Sequence, residues 1–244
     1  MKIIKRILLG LAITIVLTTL GFVVWAETPL GPSPEALAAV KSDSRVTVTT
    51  DGFITFQPAN LQPKVGFIFY PGGRVDYRSY AAPLHEIAAK GFLVVLAPVR
   101  LNMAFFDIDA AEPVFAAYPE IRVWVVGGHS LGGVAAALFA KGHSEIDGLI
   151  LWASYPANDS LKTSDIKVLS IYGTNDMAGM EKFEETSKLL PQDTQYVIID
   201  GGNHGQFGDY GPQPGDKIAT ISRAEQQQKI VEATVNFLRE LTAP

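Results

Sequence analysis

The sequence predicts an α/β protein: a doubly wound, mostly parallel sheet flanked by helices, preceded by a single N-terminal transmembrane helix. Three observations carry this. Nearly continuous apolar runs recur at Val65–Tyr70, Phe92–Leu96, Val123–Val126, Leu149–Trp152, Val168–Tyr172 and Tyr196–Ile199. Runs without alternation mark strands buried on both faces, as in parallel sheets covered by helices. Helical patterns alternate with them, at Tyr77–Lys90, Leu131–Lys141, Gly179–Leu190 and Ser222–Leu241, the order of a doubly wound sheet. Ahead of all of them, Ile7–Ala26 is apolar on every side and carries no charge.

That first stretch is about 30 Å long as a helix, the thickness of a bilayer core. Lys2, Lys5 and Arg6 precede it, and Glu27 and Glu35 follow. The positive-inside rule puts Met1 in the cytoplasm and the rest outside. Residues 1–26 therefore read as an uncleaved membrane anchor, with Trp25 suited to the interface. The alternative is a secreted protein, because Val24-Trp25-Ala26 resembles a cleavage site. A signal's apolar region is usually about 7–15 residues, shorter than this one.

Residues 27–44 read as a stiff, proline-rich linker, with Pro29, Pro32 and Pro34 close together and a short helical turn over Glu35–Val40. The main domain spans 45–244. It opens with Arg45–Thr49 and Phe53–Phe56, which alternate apolar and polar residues around Asp51-Gly52. That pattern is a hairpin at a sheet edge with one wet face. Asp76 and Ser222 are N-cap candidates for the first and last helices of the domain.

Composition excludes several classes. The chain has 244 residues, a formal charge of −5 and no basic run beyond its first six residues, so nucleic acid is not an expected partner. It has no cysteine, which removes disulfides, thiolate metal sites and a cysteine nucleophile. Its four histidines lack metal-ligand spacing, and no metal is expected.

The strongest motif is Gly128-His129-Ser130-Leu131-Gly132, followed by Gly133. It matches G-x-S-x-G, a turn that exposes a serine hydroxyl between a strand and a helix. The run Arg122–Val126 before it and the helix former Val134–Lys141 after it supply that context. Ser130 is then a candidate nucleophile, and it needs a base and a group to orient the base.

Ligands bind at the carboxyl ends of strands in such sheets, so a partner residue should directly follow a strand. His85 lies inside a helix. His129 sits in the elbow, where alternation points it away from the task. His143 follows a helix, at the opposite sheet edge. His204 follows the last strand and is the base candidate. Asp176, directly after the penultimate strand, is the preferred acid; it also fits a helix cap. Asp159 is held in reserve. Oxyanion donors are expected from the amide of Leu131 and from the loop Tyr70-Pro71-Gly72-Gly73-Arg74, where Gly72, Gly73 and Arg74 remain open as donors.

With the elbow, Asp176, His204 and the Pro71-Gly72-Gly73 loop in this order, the chain resembles the α/β-hydrolase superfamily, from about Val46 to Leu241. It is most similar to the compact, capless group that includes dienelactone hydrolases. The resemblance implies an eight-stranded sheet and a Ser-Asp-His triad without cofactor. Two departures matter. Dienelactone hydrolases use cysteine where this chain has Ser130, and Ala153–Asp165 is too short for the lid found in many relatives. The resemblance points to hydrolysis of an ester or related acyl bond in a small-molecule substrate through an acyl-enzyme. An amidase, peptidase or thioesterase on the same triad, or a membrane-tethered binding protein without catalysis, is the alternative. Gln206, Phe207, Asp209 and Tyr210, in the long loop after His204, either line a pocket or pack on the domain. Phe105 and Phe106 read first as core packing, second as a pocket wall.

Overall fold

A computed structural model describes residues 2–242. The domain is built on one eight-stranded sheet. Its strands are β1 (Val46–Thr49), β2 (Ile54–Pro58), β3 (Val65–Tyr70), β4 (Leu93–Leu96), β5 (Val123–His129), β6 (Ile146–Trp152), β7 (Lys167–Gly173) and β8 (Gln195–Ile199). Their order is β1-β2-β4-β3-β5-β6-β7-β8. β2 pairs antiparallel with β1 and β4, and every pairing from β4 to β8 is parallel. The hairpin read from alternation is therefore one sheet edge, and five of the six apolar runs form the centre. The sixth, Tyr196–Ile199 in β8, is the opposite edge, where Tyr196 and Ile198 are exposed rather than buried on both faces as its unbroken run predicts.

The helices are α1 (Lys2–Ala26), α2 (Pro34–Ala39), α3 (Ala81–Ala88), α4 (Glu112–Ala117), α5 (Leu131–Gly142), α6 (Met180–Ser187) and α7 (Arg223–Glu240). Side chains alternate across the central strands into two cores. Phe67, Phe69, Val94, Ile150, Trp152 and Ile171 pack with α3 and α7 on one face. Ile68, Tyr70, Val95, Trp124, Val126 and Leu151 pack with α4 and α5 on the other. Burial on both faces explains why these strands read as continuous apolar runs.

Several elements depart from the pattern. The helix expected over Tyr77–Lys90 begins as a 3-10 turn at Tyr77–Tyr80, capped by Asp76, and becomes α only at Ala81. Ser222 caps α7 as expected, accepting from Glu225 N–H at 3.2 Å. β5 runs three residues past its apolar core, because Gly127-Gly128-His129 still pair with Ile150–Trp152 of β6. α4 has no strong sequence pattern and starts at a proline in its first turn.

α1 is exposed along its length except for Ala26, and it is long and apolar enough to cross a membrane. The segment after it is docked on the domain. Leu30 forms a parallel bridge with Val75, and Ser33 N–H donates to the Asp209 carbonyl at 2.7 Å. Prolines stiffen this stretch, but backbone hydrogen bonds hold it in place.

The parallel strands all deliver their carboxyl ends to one edge. Chain order reverses between β3 and β5, since β4 lies to one side of β3 and β5 to the other. That reversal opens the crevice where α/β sheets bind ligands. The loops after β3 and β5 flank it.

Candidate active site

Ser130 stands between β5 and α5 with φ 54° and ψ −122°, a conformation that costs of order 1–3 kcal/mol and needs surrounding support. Support is present. Its N–H donates to the Trp152 carbonyl at 3.0 Å, and the Ser154 hydroxyl donates to its carbonyl at 2.7 Å. The flanking glycines are steric necessities. A Cβ at Gly128 would lie 2.5 Å from the Gly132 carbonyl carbon, and one at Gly132 would lie 2.3 Å from the Tyr70 oxygen. The turn is tight because helix and strand cross in contact.

Asp176 lies in the loop after β7 and is fully buried. One carboxylate oxygen accepts from Ala178 N–H at 2.8 Å. The other lies 2.9 Å from His204 Nδ1. A carboxylate only accepts, so Nδ1 carries the hydrogen and Nε2 presents its lone pair. That Nε2 is buried without a hydrogen-bond partner. The imidazole of His204 packs on that of His129, the residue before Ser130, with centroids 4.5 Å apart. The loops after β5, β7 and β8 thus meet.

Asp159, by contrast, is exposed and contacts no histidine. No hydrogen bond joins the reserve acid to His204, whose Nδ1 is taken by Asp176. The remaining histidines also have ordinary explanations. His85 is buried in α3, 3.8 Å from Asp43. His143 ends α5 and stacks on Phe139.

The three residues left open in the glycine loop are separated by their hydrogen bonds. Gly72 N–H donates to the Tyr80 hydroxyl at 3.1 Å, and Arg74 N–H donates to the Asn102 carbonyl at 2.7 Å. Both amides are committed. Among the described residues, Gly73 N–H has no acceptor, and Leu131 opens α5, where no carbonyl precedes it in the ladder. A methyl added at Gly73 would lie 3.0 Å from Leu131 Cδ2. Two free amides therefore adjoin one another beside Ser130.

His129 is not turned away from the site, as strand alternation suggested. It is fully buried and forms a wall behind His204. Its Nδ1 and the Tyr80 hydroxyl share a hydrogen bond of 2.8 Å. Tyr80 in turn accepts from Gly72 N–H, so one relay ties the glycine loop to the elbow. Sequence reasoning missed Tyr80; the only signal was an aromatic with a polar tip close after the glycine loop. Phe207 stacks on His129, and Tyr210 packs near both His129 and Tyr80. Asp209 pairs with Arg223 at 3.2 Å. The long loop after His204 thus packs behind the histidines. Phe105 and Phe106 are corrected in the other direction: 52% and 41% exposed, they belong to neither core.

Burial, and then the neighbouring His204, hold the His129 pKa well below its ordinary 6.5. The folded state keeps this ring neutral, while the unfolded chain protonates it below about pH 6.5. Its contribution to stability is therefore complete above that pH and is lost as pH falls. Below pH 6.5 the loss from this group approaches about 1.4 kcal/mol per pH unit. Urea unfolding in detergent at pH 7.5 and 5.5 should show this slope, reduced in His129→Asn. An unchanged slope in the variant would refute the assignment.

A strained, supported serine, a buried Asp–His pair with a free nitrogen, and two adjoining free amides define a site suited to acyl hydrolysis. Comparison with known proteins places the chain. A family model described as the alpha/beta hydrolase family matches residues 66–228, more than half of the chain. The chain belongs to that family, and its class is that of a hydrolase. Solved structures agree in fold. A dienelactone hydrolase from Anabaena variabilis superposes with a TM-score of 0.60 at 14% identity, covering 80% of this chain and 98% of its own. Est1E from Butyrivibrio proteoclasticus gives 0.58 at 16%, covering 82% and 100%. The esterase domain of a Rhodothermus marinus protein gives 0.59 at 14%, covering 77% and 92%. No curated protein matches the chain.

Proposed function

We propose that the protein is a serine esterase. Ser130 Oγ attacks the carbonyl carbon of an acyl ester while His204 Nε2 takes its proton. Asp176 holds the imidazole in the required tautomer and stabilises the imidazolium. The oxyanion is held by the amides of Leu131 and Gly73. His204 returns the proton to the departing alkoxide, which leaves as an alcohol. Water, deprotonated at the same nitrogen, then attacks the acyl-serine, releases the carboxylic acid and restores Ser130. The observation that carries this reading is the buried His204–Asp176 pair at 2.9 Å, its Nε2 left free. A pure binding protein needs no such pair. The esterases and the dienelactone hydrolase among structures of similar fold agree with an ester as the bond.

We assign α1 to a retained single-pass anchor, with the hydrolase domain on the far side of the membrane from Met1. In support, Ala26 at the end of α1 is fully buried, and its carbonyl accepts from Asn102 Nδ2 at 3.1 Å. The helix end is thereby part of the domain's packing.

A fluorophosphonate probe tests the chemistry. Stoichiometric labelling of the full chain, mapped to Ser130, is expected. A protein that turns over short p-nitrophenyl esters but not their amide or thioester analogues would fix the bond class. Failure to label would favour the binding protein.

A further inference from the structure

The end of α1 is fastened to the candidate oxyanion loop itself. The guanidinium of Arg74, next to Gly73, donates to the Trp25 carbonyl at 2.9 Å and to the Thr28 carbonyl at 2.7 Å. It also lies 4.2 Å from the centroid of the Trp25 ring. The last carbonyls of a helix lack partners and carry its negative dipole end, so a cation there is favourable. Asn102, which accepts from Arg74 N–H, also grips Ala26. Arg74, Leu101 and Asn102 all have positive φ, at 54°, 57° and 50°. Strained non-glycine residues of this kind cluster at functional positions.

This fastening sets the height of the site above a bilayer. Tryptophan marks the interfacial belt, and Trp25 is one residue from the end of α1. The Phe106 ring contacts Phe22 edge-on, with centroids 6.1 Å apart, and Phe105 lies against Phe106 at 4.6 Å. Phe22 is four residues before Ala26, so it sits about 6 Å further into the membrane along the helix axis. The two exposed phenylalanines therefore reach below the level of Trp25. They also follow β4, at the sheet edge that carries Ser130. Beside them, Glu27, Val99, Arg100, Leu101 and Phe106 line an open groove of about 510 Å³ at the foot of α1.

We propose that the enzyme draws its substrate from the membrane: an amphiphilic, lipid-like acyl ester in the leaflet where α1 ends. Phe105 and Phe106 enter that leaflet beside the oxyanion loop, and the groove at the foot of α1 receives the ester. Water cleaves it to an alcohol and a carboxylic acid by the steps given above. The inference rests on the serine-esterase reading and on retention of α1.

The test uses the full chain reconstituted in phosphatidylcholine vesicles. Two substrates are compared: long-chain p-nitrophenyl palmitate dissolved in the vesicles, and water-soluble p-nitrophenyl acetate. Wild type is expected to float with the vesicles and to cleave both. Phe105→Ser, at the more exposed ring and outside the groove lining, should lose about fivefold in kcat/KM on the vesicle-borne ester, with p-nitrophenyl acetate turnover held within about twofold. The double variant Phe105→Ser, Phe106→Ser should lose more, about tenfold, on the vesicle-borne ester. Equal losses on both substrates in Phe105→Ser, or none on the palmitate, would overturn the inference. So would wild type that cleaves acetate, labels at Ser130 and ignores the vesicle-borne ester; the esterase reading would then stand. Wild type that cleaves neither ester and takes up no fluorophosphonate would overturn the esterase reading itself.

Discussion

Ser130→Ala is expected to lower kcat for ester hydrolysis by about 10⁵–10⁶-fold, the scale on which serine triads lose their nucleophile. On the proposed mechanism the attacking alcohol is then gone, and no cysteine elsewhere in the chain can replace it. The fold should survive. The Ser130 side chain makes no structural hydrogen bond, and the support at this position comes from its backbone groups to Trp152 and Ser154. Alanine does meet the same positive φ, so a small loss of stability is compatible with this result. Steady-state kinetics on p-nitrophenyl butyrate, with thermal unfolding of both proteins in detergent, provides the check. A variant that retains more than a few per cent of wild-type turnover would remove Ser130 from the mechanism.

Asp176→Asn is expected to lower kcat by about 10⁴-fold. The amide can be oriented so that its oxygen keeps the Ala178 N–H bond now made at 2.8 Å. Its NH₂ then faces His204 Nδ1, and a donor there forces the imidazole to put its hydrogen on Nε2. The nitrogen proposed as the base becomes a donor. Substrate binding is not touched by this change, so KM should move little while kcat falls. Asp159→Asn is the control, because that carboxylate is exposed and away from the histidine; it should behave as wild type. Reversed effects in the two variants would return the acid to Asp159.

The sheet was legible because its chemistry is repetitive. Six apolar runs could be counted without knowing how they pair, and the edge hairpin announced itself by alternation. Five of the runs are buried on both faces, while the sixth is β8 at the far edge, which an unbroken run does not distinguish from the centre. The triad candidates were legible for a related reason. In a parallel sheet every residue directly after a strand reaches one edge, so strand position screens Ser130, Asp176 and His204 together. The same rule kept Asp159 in play, because it could not tell which acid meets His204. His129 was misjudged from alternation. A strand residue at the sheet's end faces a layer, and what occupies that layer here is the loop carrying His204.

The glycine loop after β3 shows the limit most directly. Gly72, Gly73 and Arg74 were equivalent by spacing. Two partners distant in sequence, Tyr80 and Asn102, take the amides on either side and leave Gly73 free. The exposed pair Phe105 and Phe106 misled in the opposite way, since apolar residues beside a strand normally enter the core; here they stand next to Phe22 of α1.

Local sequence alone determined the strand–turn–helix at Ser130, the order of the strands along the chain and the presence of a membrane-length helix. These follow from residue volume, backbone freedom and apolar periodicity within short windows. Tertiary structure alone decided which amide is free, which acid meets His204, and that Arg74 ties the end of α1 to the active-site loop. Each of those depends on hydrogen bonds between residues dozens of positions apart, which no local pattern encodes.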